Sequence, residues 1–362
     1  MYKQLSIINK LFRNQYIRHL HINLNKTITN VDICFGCSWG DEGKGKIVAQ
    51  LAKEGDYDFV CRWAGGNNAG HTVYVNGSKY KTHLIPSGVF YGIKSVIGPG
   101  CVVNVNSFFE EIDYLKTNGF NTDLIKISPK THVVDETHIN EDKEHYGYQG
   151  TTSRGIAPCY RDKYGRVGKR VEYFDEFRDY IWDEKLYGNV LCEGAQGMWL
   201  DIDHGNYPYV TSSTTMPYGS CSLGFPPQLI NKIYGACKIY DTRVGTDPDF
   251  SKYLMDDDEL LNLAILGDEY GVSTGRLRKT NWLNIDKLIM AINMSGTTDL
   301  VISKVDVLEE YGIFKLYCDS SLYTFYNICA MKKFIEKKLK DNCLMLERIL
   351  FSGDPETVDN LI

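Results

Sequence analysis

The sequence predicts an α/β protein with a mostly parallel central sheet and helices on both of its faces. Short apolar runs alternate along the chain with segments of helical spacing, a pattern that favours parallel strands joined by helices. Two of the apolar runs, residues 31–36 and 189–192, lead directly into glycine-rich turns. Ligands of such sheets bind beyond the carboxyl ends of the strands, so we expect a binding site where these turns meet.

The individual elements follow in order along the chain. After the strand at 31–36, residues 45–54 have helical spacing, with Ile47, Val48 and Leu51 on one face. Residues 71–84 are predicted to form a hairpin because Asn-Gly at 76–77 is a strong signal for a two-residue turn. The further predicted strands are 58–62, 189–192, 299–303 and 347–351, and the further predicted helices are 107–116, 171–182, 284–293 and 331–341. Long irregular stretches are predicted at 145–170 and 196–225, and long loops in a compact domain are often functional.

Net charge and hydropathy argue against two broad classes of protein, nucleic-acid-binding proteins and proteins with a membrane-spanning helix. The chain has 362 residues with 40 basic and 46 acidic side chains, which gives a net charge of −6. A nucleic-acid-binding protein usually carries a basic surface, so this balance argues against such a role. No run of about 18 apolar residues occurs, so we expect no membrane-spanning helix and a cytoplasmic protein.

The first 31 residues differ from the rest in charge. They contain five basic residues and no acidic residue. We predict that residues 1–31 are a disordered basic extension, or the result of a start codon placed too early, outside a domain over residues 32–362. The alternative is an organelle transit peptide, which has the same composition.

The 11 cysteines are scattered, which is typical of reduced thiols in a cytosolic enzyme rather than of a disulfide framework. Cys34 and Cys37 form a C-x-x-C pair, and a redox role for them is one reading. No second pair completes a zinc site, and buried free cysteines are common, so the sequence favours structural thiols.

The segment GDEGKGK at 40–46 lies between a predicted strand and a predicted helix. Its glycines let backbone N–H groups approach phosphate oxygens, and a helix N-terminus favours an anion. It is not a standard Walker A loop, because Ile47 stands where Ser or Thr would hold magnesium. The Asp41 carboxylate would repel phosphate, so its presence in a phosphate loop requires a bound metal or a role in proton transfer. The alternative is that Asp41 is a solvated turn residue without a functional role.

Five further segments carry polar groups suited to chemistry. GGNNAGHT at 65–72 places His71 in an open polar turn, where it is either an acid–base group or a structural histidine. The loops at 149–166 and 193–213 offer hydroxyls, amides and cations, or are exposed polar loops. STGRLRK at 273–279 pairs two arginines beside hydroxyls, which suits a carboxylate. SKVDVL at 303–308 has the Lys-x-Asp spacing of GTPase guanine-binding elements.

Together and in this order, the six segments resemble adenylosuccinate synthetase from about Asp32 to the C-terminus. WGDEGKGK, NNAGHT, DIDHGNYPYVTSS and TGRLR are the specific signatures. The resemblance implies one catalytic domain with a P-loop-like nucleotide-binding architecture. It also implies a GTP-dependent ligase that joins inosine monophosphate (IMP) to L-aspartate through a 6-phosphoryl-IMP intermediate, in AMP biosynthesis. Mg²⁺ and a homodimer are further implications.

The resemblance assigns roles to the residues that match the family's motifs. Asp41 would be the base that removes the ring proton of IMP and, with the Gly70 carbonyl, a magnesium ligand; His71 would be the acid. The residues expected to bind GTP are Gly40, Glu42, Gly43, Lys44, Gly45, Lys304, Asp306, Ser352 and Gly353. Those expected to bind IMP are Asn68, Thr152, Gln196, Thr211 and, from the neighbouring subunit, Arg166. Those expected to bind aspartate are Arg154, Ser273, Thr274, Arg276 and Arg278.

The chain departs from the family pattern at several points, which leaves alternatives open. Ala64 stands where many members have Gln, Leu277 replaces a basic residue, and the terminal guanine-binding segment reads SGDP at 352–355. The chain is short, like the compact members of archaea and viruses, some of which accept dGMP instead of IMP; the retained Asp41 favours IMP. A GTP-binding switch without ligase activity is the alternative of another class, but it leaves His71 unexplained.

Overall fold

The structure is a computed structural model that describes residues 27–146, 151–250, 252–271 and 275–362. Residues 1–26 of the predicted basic extension lie outside the described residues, so the extension stays a prediction. Ser273 and Thr274 also lie outside the described residues. The predicted boundary of the extension at residue 31 falls inside a strand, because the first strand starts at Ile28.

The described elements alternate between strands and helices along much of the chain. The strands are β1 Ile28–Gly36, β2 Phe59–Arg62, β3 His71–Val75, β4 Ser78–Thr82, β5 Lys94–Ile97, β6 Val102–Asn104, β7 Ile125–Ile127, β8 His132–Val134, β9 Gly188–Glu193, β10 Ile230–Lys238, β11 Tyr240–Arg243, β12 Lys279–Asn284, β13 Asp299–Ser303, β14 Phe314–Cys318, β15 Ser321–Phe325 and β16 Arg348–Phe351. The helices are α1 Lys44–Glu54, α2 Val105–Thr117, α3 Glu136–Glu141, α4 Ile156–Gly165, α5 Asp258–Leu266, α6 Ile285–Ser295, α7 Val305–Tyr311 and α8 Ile328–Asn342.

An eight-stranded sheet forms the centre of the molecule, in the order β16-β13-β10-β1-β9-β2-β5-β7. Each neighbouring pair in this order is parallel, so the carboxyl ends of these strands lie along one edge. A second, four-stranded sheet (β11-β12-β14-β15) and two strand pairs (β3-β4 and β6-β8) accompany it. The predicted mostly parallel α/β fold is confirmed.

Alternating side chains of β1 are buried on opposite faces of the central sheet. Ile33 and Phe35 belong to the hydrophobic cluster that includes residues of α5, α6 and α8. Cys34 faces the other way, into a cluster with Ile47, Val48 and other apolar residues of α1. Both faces are therefore covered, as parallel sheets require.

Most predicted elements are present with small shifts of their ends. The hairpin is β3 and β4, and its turn residues Asn76 and Gly77 have φ of 52° and 78°, as a two-residue hairpin turn of this kind requires. The predicted helix at 284–293 becomes α6, which begins after Asn284; the Asn284 side chain accepts a hydrogen bond from Lys287 N.

Two sequence predictions are wrong. The predicted helix at 171–182 is instead two short 3₁₀ turns, Val171–Tyr173 and Asp175–Tyr180, separated by extended backbone at Phe174. The apolar side chains recur at every third residue, a spacing that places them on one line of a 3₁₀ turn rather than of an α-helix. The stretch 145–170, predicted to be irregular, contains α4.

The cysteines of the chain all lie in the described ranges and are free. Cys34 and Cys37 are buried, and burial raises the pKa of both thiols. A thiol with a raised pKa forms little reactive thiolate, so the structure supports the structural reading of this pair. No helix in the described ranges has both the length and the apolar character needed to cross a membrane.

The buried carboxyl of Asp241 gives a prediction about stability. Burial raises the pKa of Asp241 to about 7, above its ordinary value of 3.8. The folded protein thus holds this proton more tightly than the unfolded chain, and the free energy of unfolding falls as pH rises through this window. We expect Asp241→Asn, which can still accept from Asn284 N, to raise the free energy of unfolding by about 2–4 kcal/mol near pH 8.

Thermal unfolding at two pH values measures this effect. The gain in melting temperature should be large near pH 8 and vanish near pH 4, where the wild-type carboxyl is already protonated in the folded state. Asp249→Asn, at an exposed carboxylate that pairs with Lys287, is the matched control and should change little at either pH. A gain for Asp241→Asn that is equal at both pH values would contradict the explanation.

Candidate active site

A cavity of about 770 Å³ lies at the edge where the central strands end. The loops that follow β1, β2, β9, β13 and β16 all contribute residues to its wall, because their strands are parallel and their carboxyl ends coincide. The β3–β4 hairpin and the segment before β12 add further lining residues. Segments that are far apart in the sequence thus meet at one place.

Most of the residues predicted for the site line this cavity. They are Gly40, Asp41, Glu42, Gly43, Lys44, Gly45, Asn68, Gly70, His71, Thr152, Gln196, Thr211, Arg278, Lys304, Asp306 and Gly353. Four described residues of the predicted set do not line it: Arg154, Arg166, Arg276 and Ser352. Ser273 and Thr274 lie outside the described residues. The individual roles of these residues stay predictions.

The loop at 37–43 is shaped by a buried carboxylate. Glu42 is 1% exposed, and its Oε1 accepts hydrogen bonds from Ser38 N at 3.2 Å and Gly40 N at 2.8 Å. Its Oε2 pairs with the buried Lys44 ammonium at 2.5 Å. Gly43 has φ of 87° where α1 begins, a conformation that favours glycine. Although Glu42 was predicted among the GTP-binding residues, its carboxylate holds the loop and offsets the Lys44 charge.

Asp41 lies at the tip of this loop in a strained conformation, with φ of 60°. Its Oδ2 accepts a hydrogen bond from Arg278 Nε at 2.9 Å, and its side chain is 29% exposed. Arg278 also contacts the fully buried Glu269, through Nη1 and Oε2 at 2.5 Å. The guanidinium thus bridges a carboxylate in the cavity and a carboxylate behind its wall.

His71 is held by a carboxylate at the end of β9. Its Nδ1 lies 2.7 Å from Glu193 Oε1, and Glu193 also accepts from Ser87 N and Ser87 Oγ. Burial would raise the pKa of Glu193, but His71, Arg62 and Ser87 lower it to about 2. Burial and the Arg62 charge lower the pKa of His71, whereas Glu193 opposes that shift. The Glu193 anion therefore fixes the ring and leaves its other nitrogen for the cavity.

Three of the predicted guanine-binding residues, Lys304, Asp306 and Gly353, line the cavity. Lys304 precedes α7 directly and donates from Nζ to Gly267 O at 2.7 Å, and Asp306 lies in the first turn of the helix. A Cβ on Gly353 would lie 3.0 Å from Asp306 Cβ, so glycine permits this close approach. Ser352 is buried, and its Oγ accepts from Lys46 Nζ at 2.8 Å. Lys46 thus ties α1 to the SGDP segment.

The loop at 196–215 is held by hydrogen bonds between its own residues, and its residues Gln196 and Thr211 line the cavity. Asp201 is fully buried and accepts from Asp203 N, His204 N and Thr215 N. Gln196 has φ of 53°, and among the described residues neither atom of its buried amide has a hydrogen-bond partner. Buried amides are normally paired, so this group is available to a ligand.

Thr152 precedes the amino end of α4, which spans Ile156–Gly165, and Arg166 follows its carboxyl end. Ten residues of α-helix measure about 15 Å, so the backbone at Arg166 is far from the amino end of α4. Thr152 lines the cavity, whereas Arg166 does not.

Sequence reasoning missed two residues that organise the site, Glu193 and Glu269, and it missed the contact of Lys46 with Ser352. Glu193 begins the EGAQG segment, and Lys46 ends GDEGKGK, so both belong to motifs in which the functional roles were assigned to other residues. A charged residue directly after a run of apolar residues is unusual, and this signal could have singled out Glu193. Glu269 carries no such signal, because its partners Arg278 and Lys238 are 9 and 31 positions away and no local pattern encodes these contacts.

Comparisons with known proteins identify the family of this chain. The model of the adenylosuccinate synthetase family matches residues 33–187 and 172–319. The adenylosuccinate synthetase of Heliobacterium modesticaldum is 37% identical, over 78% of this chain and 79% of that protein. That of Clostridium botulinum is 38% identical over 78% and 79%. Both relatives are bacterial; the prediction of a compact archaeal or viral type stays a prediction.

Solved structures show the same architecture. Fully ligated adenylosuccinate synthetase from Plasmodium falciparum matches with a TM-score of 0.78 and 29% identity, over 90% of this chain and 98% of that one. The succinoaminodeoxyadenylate synthetase of cyanophage S-2L, bound to dGMP and dATP, matches with a TM-score of 0.70 at 18% identity, over 91% and 94%, which shows the fold alone. The family match over most of the chain, the identity to its curated members and the fold together establish that this chain belongs to the adenylosuccinate synthetase family.

Proposed function

We propose that the chain is an adenylosuccinate synthase, which joins IMP and L-aspartate at the expense of GTP in AMP biosynthesis. The observation that carries this proposal is the single cavity in which Asp41, Lys44, His71 and Arg278 meet. A phosphate loop, a carboxylate, a histidine and an arginine that can bind a carboxylate are the groups this reaction requires.

The proposed reaction has two steps. Asp41 accepts the proton from ring nitrogen 1 of IMP, and the resulting oxyanion at carbon 6 attacks the γ-phosphorus of GTP, which releases GDP. The aspartate amine then attacks carbon 6 and loses a proton, and the 6-oxygen leaves as phosphate. Positioning and nearby cations accelerate such a transfer more than covalent chemistry by the protein.

His71 would assist the transfer by donating a proton toward the phosphoryl group. In the ligand-free protein, burial and Arg62 lower its pKa. A bound triphosphate brings negative charge next to the ring, which favours the protonated form. The Glu193 hydrogen bond would keep the ring oriented in both states.

The donors predicted for Mg²⁺ suit that ion. Asp41 offers a carboxylate and Gly70 a backbone carbonyl, and both line the cavity. Mg²⁺ prefers oxygen ligands and is commonly held by one or two carboxylates together with substrate phosphates. The ion would neutralise charge on the phosphates of GTP.

A homodimer is part of the proposal. Arg166 lies at the end of α4 away from its own cavity, with φ of 64°, and its side chain is exposed. An exposed arginine there can reach the IMP phosphate of a neighbouring subunit, whereas Thr152 would contact the phosphate in its own subunit.

Guanine selection by Asp306 gives a testable prediction. A carboxylate accepts two hydrogen bonds from the guanine edge, so we expect Asp306→Asn to raise the KM for GTP by about 10–100-fold, with the KM for IMP changed much less. Steady-state kinetics with each substrate varied in turn measures both. Glu309→Gln, an exposed change on the same helix, is the control. An unchanged KM for GTP in Asp306→Asn would contradict the assignment.

One assay tests the proposed function as a whole. Purified protein is offered IMP or dGMP, with L-aspartate, Mg²⁺ and GTP or ATP, and the succinyl-purine product is measured by ultraviolet absorbance. We expect product with IMP and GTP. Product with dGMP alone would replace IMP as the substrate. Release of phosphate without IMP and aspartate would indicate a GTP-binding switch, and the absence of product from every combination would overturn the proposal.

A further inference from the structure

A chain of four alternating charges crosses the cavity wall: Lys238, Arg278 and Asp41 line the cavity, and Glu269 lies behind it. Lys238 Nζ lies 2.7 Å from Glu269 Oε2, Arg278 Nη1 lies 2.5 Å from the same oxygen, and Arg278 Nε contacts Asp41 Oδ2 at 2.9 Å. Lys238 comes from the end of β10, Glu269 follows α5, and Arg278 precedes β12. The first three side chains are buried, and Asp41 faces the cavity.

Both carboxylate oxygens of Glu269 accept hydrogen bonds from neighbouring side chains. Its Oε1 accepts from the Tyr240 hydroxyl at 2.8 Å, and its Oε2 is shared by Lys238 and Arg278. Its backbone carbonyl accepts from Arg278 N at 2.7 Å, so the two residues are joined twice. Burial would raise the pKa of Glu269, but Lys238 and Arg278 lower it to about 2. The carboxylate is therefore ionised and immobile.

The two ends of the Arg278 guanidinium consequently differ. Nη1 is bound to a buried anion that has no freedom to leave, whereas Nε is bound to Asp41, which is partly exposed and belongs to the strained loop. A carboxylate that enters the cavity can replace Asp41 at Nε without disturbing Glu269. The same exchange frees Asp41.

We propose that Glu269, with Lys238 as its counter-charge, is the positioning residue that holds Arg278 in the cavity, so that an incoming substrate carboxylate exchanges with Asp41 on a guanidinium already in place. This proposal rests on the proposed function, in which L-aspartate brings that carboxylate and Asp41 is the base. Binding of aspartate and release of the base are then a single exchange at one arginine.

The test compares two variants by steady-state kinetics and thermal unfolding. Glu269→Gln leaves the buried Lys238 without its anion and Arg278 with Asp41 alone, so its melting temperature should fall. The pair Lys238→Met with Glu269→Gln removes one charge of each sign and should recover most of the melting temperature. In both variants we expect the KM for aspartate to rise about 10-fold or more, with the KM for GTP and IMP changed less than about threefold, as for a lost charged hydrogen bond.

Two further variants complete the design. Lys238→Arg keeps the counter-charge and should stay near the wild type in its KM for aspartate. Glu259→Gln removes an exposed ion pair with Lys315 at the start of α5 and should leave every constant unchanged. An unchanged KM for aspartate in the double variant, or an equal rise in all three KM values, would overturn the positioning role. A wild-type protein that makes no succinyl-purine product would instead refute the proposed function.

Discussion

Asp41→Asn is expected to lower kcat by about 10³-fold or more while the protein stays folded. The amide keeps the size of the side chain and can still accept from Arg278 Nε, so the loop geometry is preserved. It cannot take the ring proton of IMP, and it is a poor ligand for Mg²⁺. A general base alone contributes typically about 10²–10⁴-fold, and Asp41 is proposed to act in both capacities.

The measurement is succinyl-purine formation under saturating IMP, aspartate and GTP, with circular dichroism to verify the fold. Asp268→Asn is the matched control, because it removes another carboxylate from the cavity wall but lies outside the phosphate loop. It should retain activity within a few-fold. Near-normal turnover by Asp41→Asn would eliminate Asp41 as the base.

His71→Asn is expected to lower kcat by about 10²–10³-fold, with KM for the three substrates changed much less. Asparagine can keep a hydrogen bond to Glu193 but carries no titratable proton at neutral pH. The loss should therefore fall on the phosphoryl transfer rather than on binding. Pre-steady-state formation of GDP reports the phosphoryl transfer itself, whereas release of phosphate reports the later attack by aspartate.

His83→Asn is the control for this variant. His83 lies just after the same hairpin, does not line the cavity, and contacts Ala69 O through Nδ1 at 2.7 Å. It should keep kcat within a few-fold of the wild type. A His71→Asn enzyme that loses only affinity for GTP, with kcat unchanged, would show that the ring binds the nucleotide and does not act as an acid.

Local signals in the sequence were sufficient for most elements. The Asn-Gly pair at 76–77 gave the hairpin, and the apolar face of Ile47, Val48 and Leu51 gave α1, because turn chemistry and helical period act over a few residues. The same reasoning failed at 171–182, where a repeat of three was read as a helix. It also missed α4, whose ten-residue sequence IAPCYRDKYG carries little amphipathic pattern.

The residue types of the site could be read from the motifs, but their contacts could not. Lys44 was expected to face phosphate, and only the fold shows that the buried Glu42 shares its charge. Arg278 was expected to bind a substrate carboxylate, and only the fold shows that it bridges Asp41 and Glu269. Asp41 and Arg278 are 237 positions apart, and no local pattern encodes a contact at that separation.

The sequence by itself therefore determined the α/β class, the loops that carry chemistry and the family to which they belong, because these depend on the order and spacing of neighbouring residues. The tertiary structure decided which loops meet in one cavity and which charges are paired there. The loops meet because the parallel sheet brings the ends of distant strands to one edge. The charges are paired because a buried charge without a partner costs free energy.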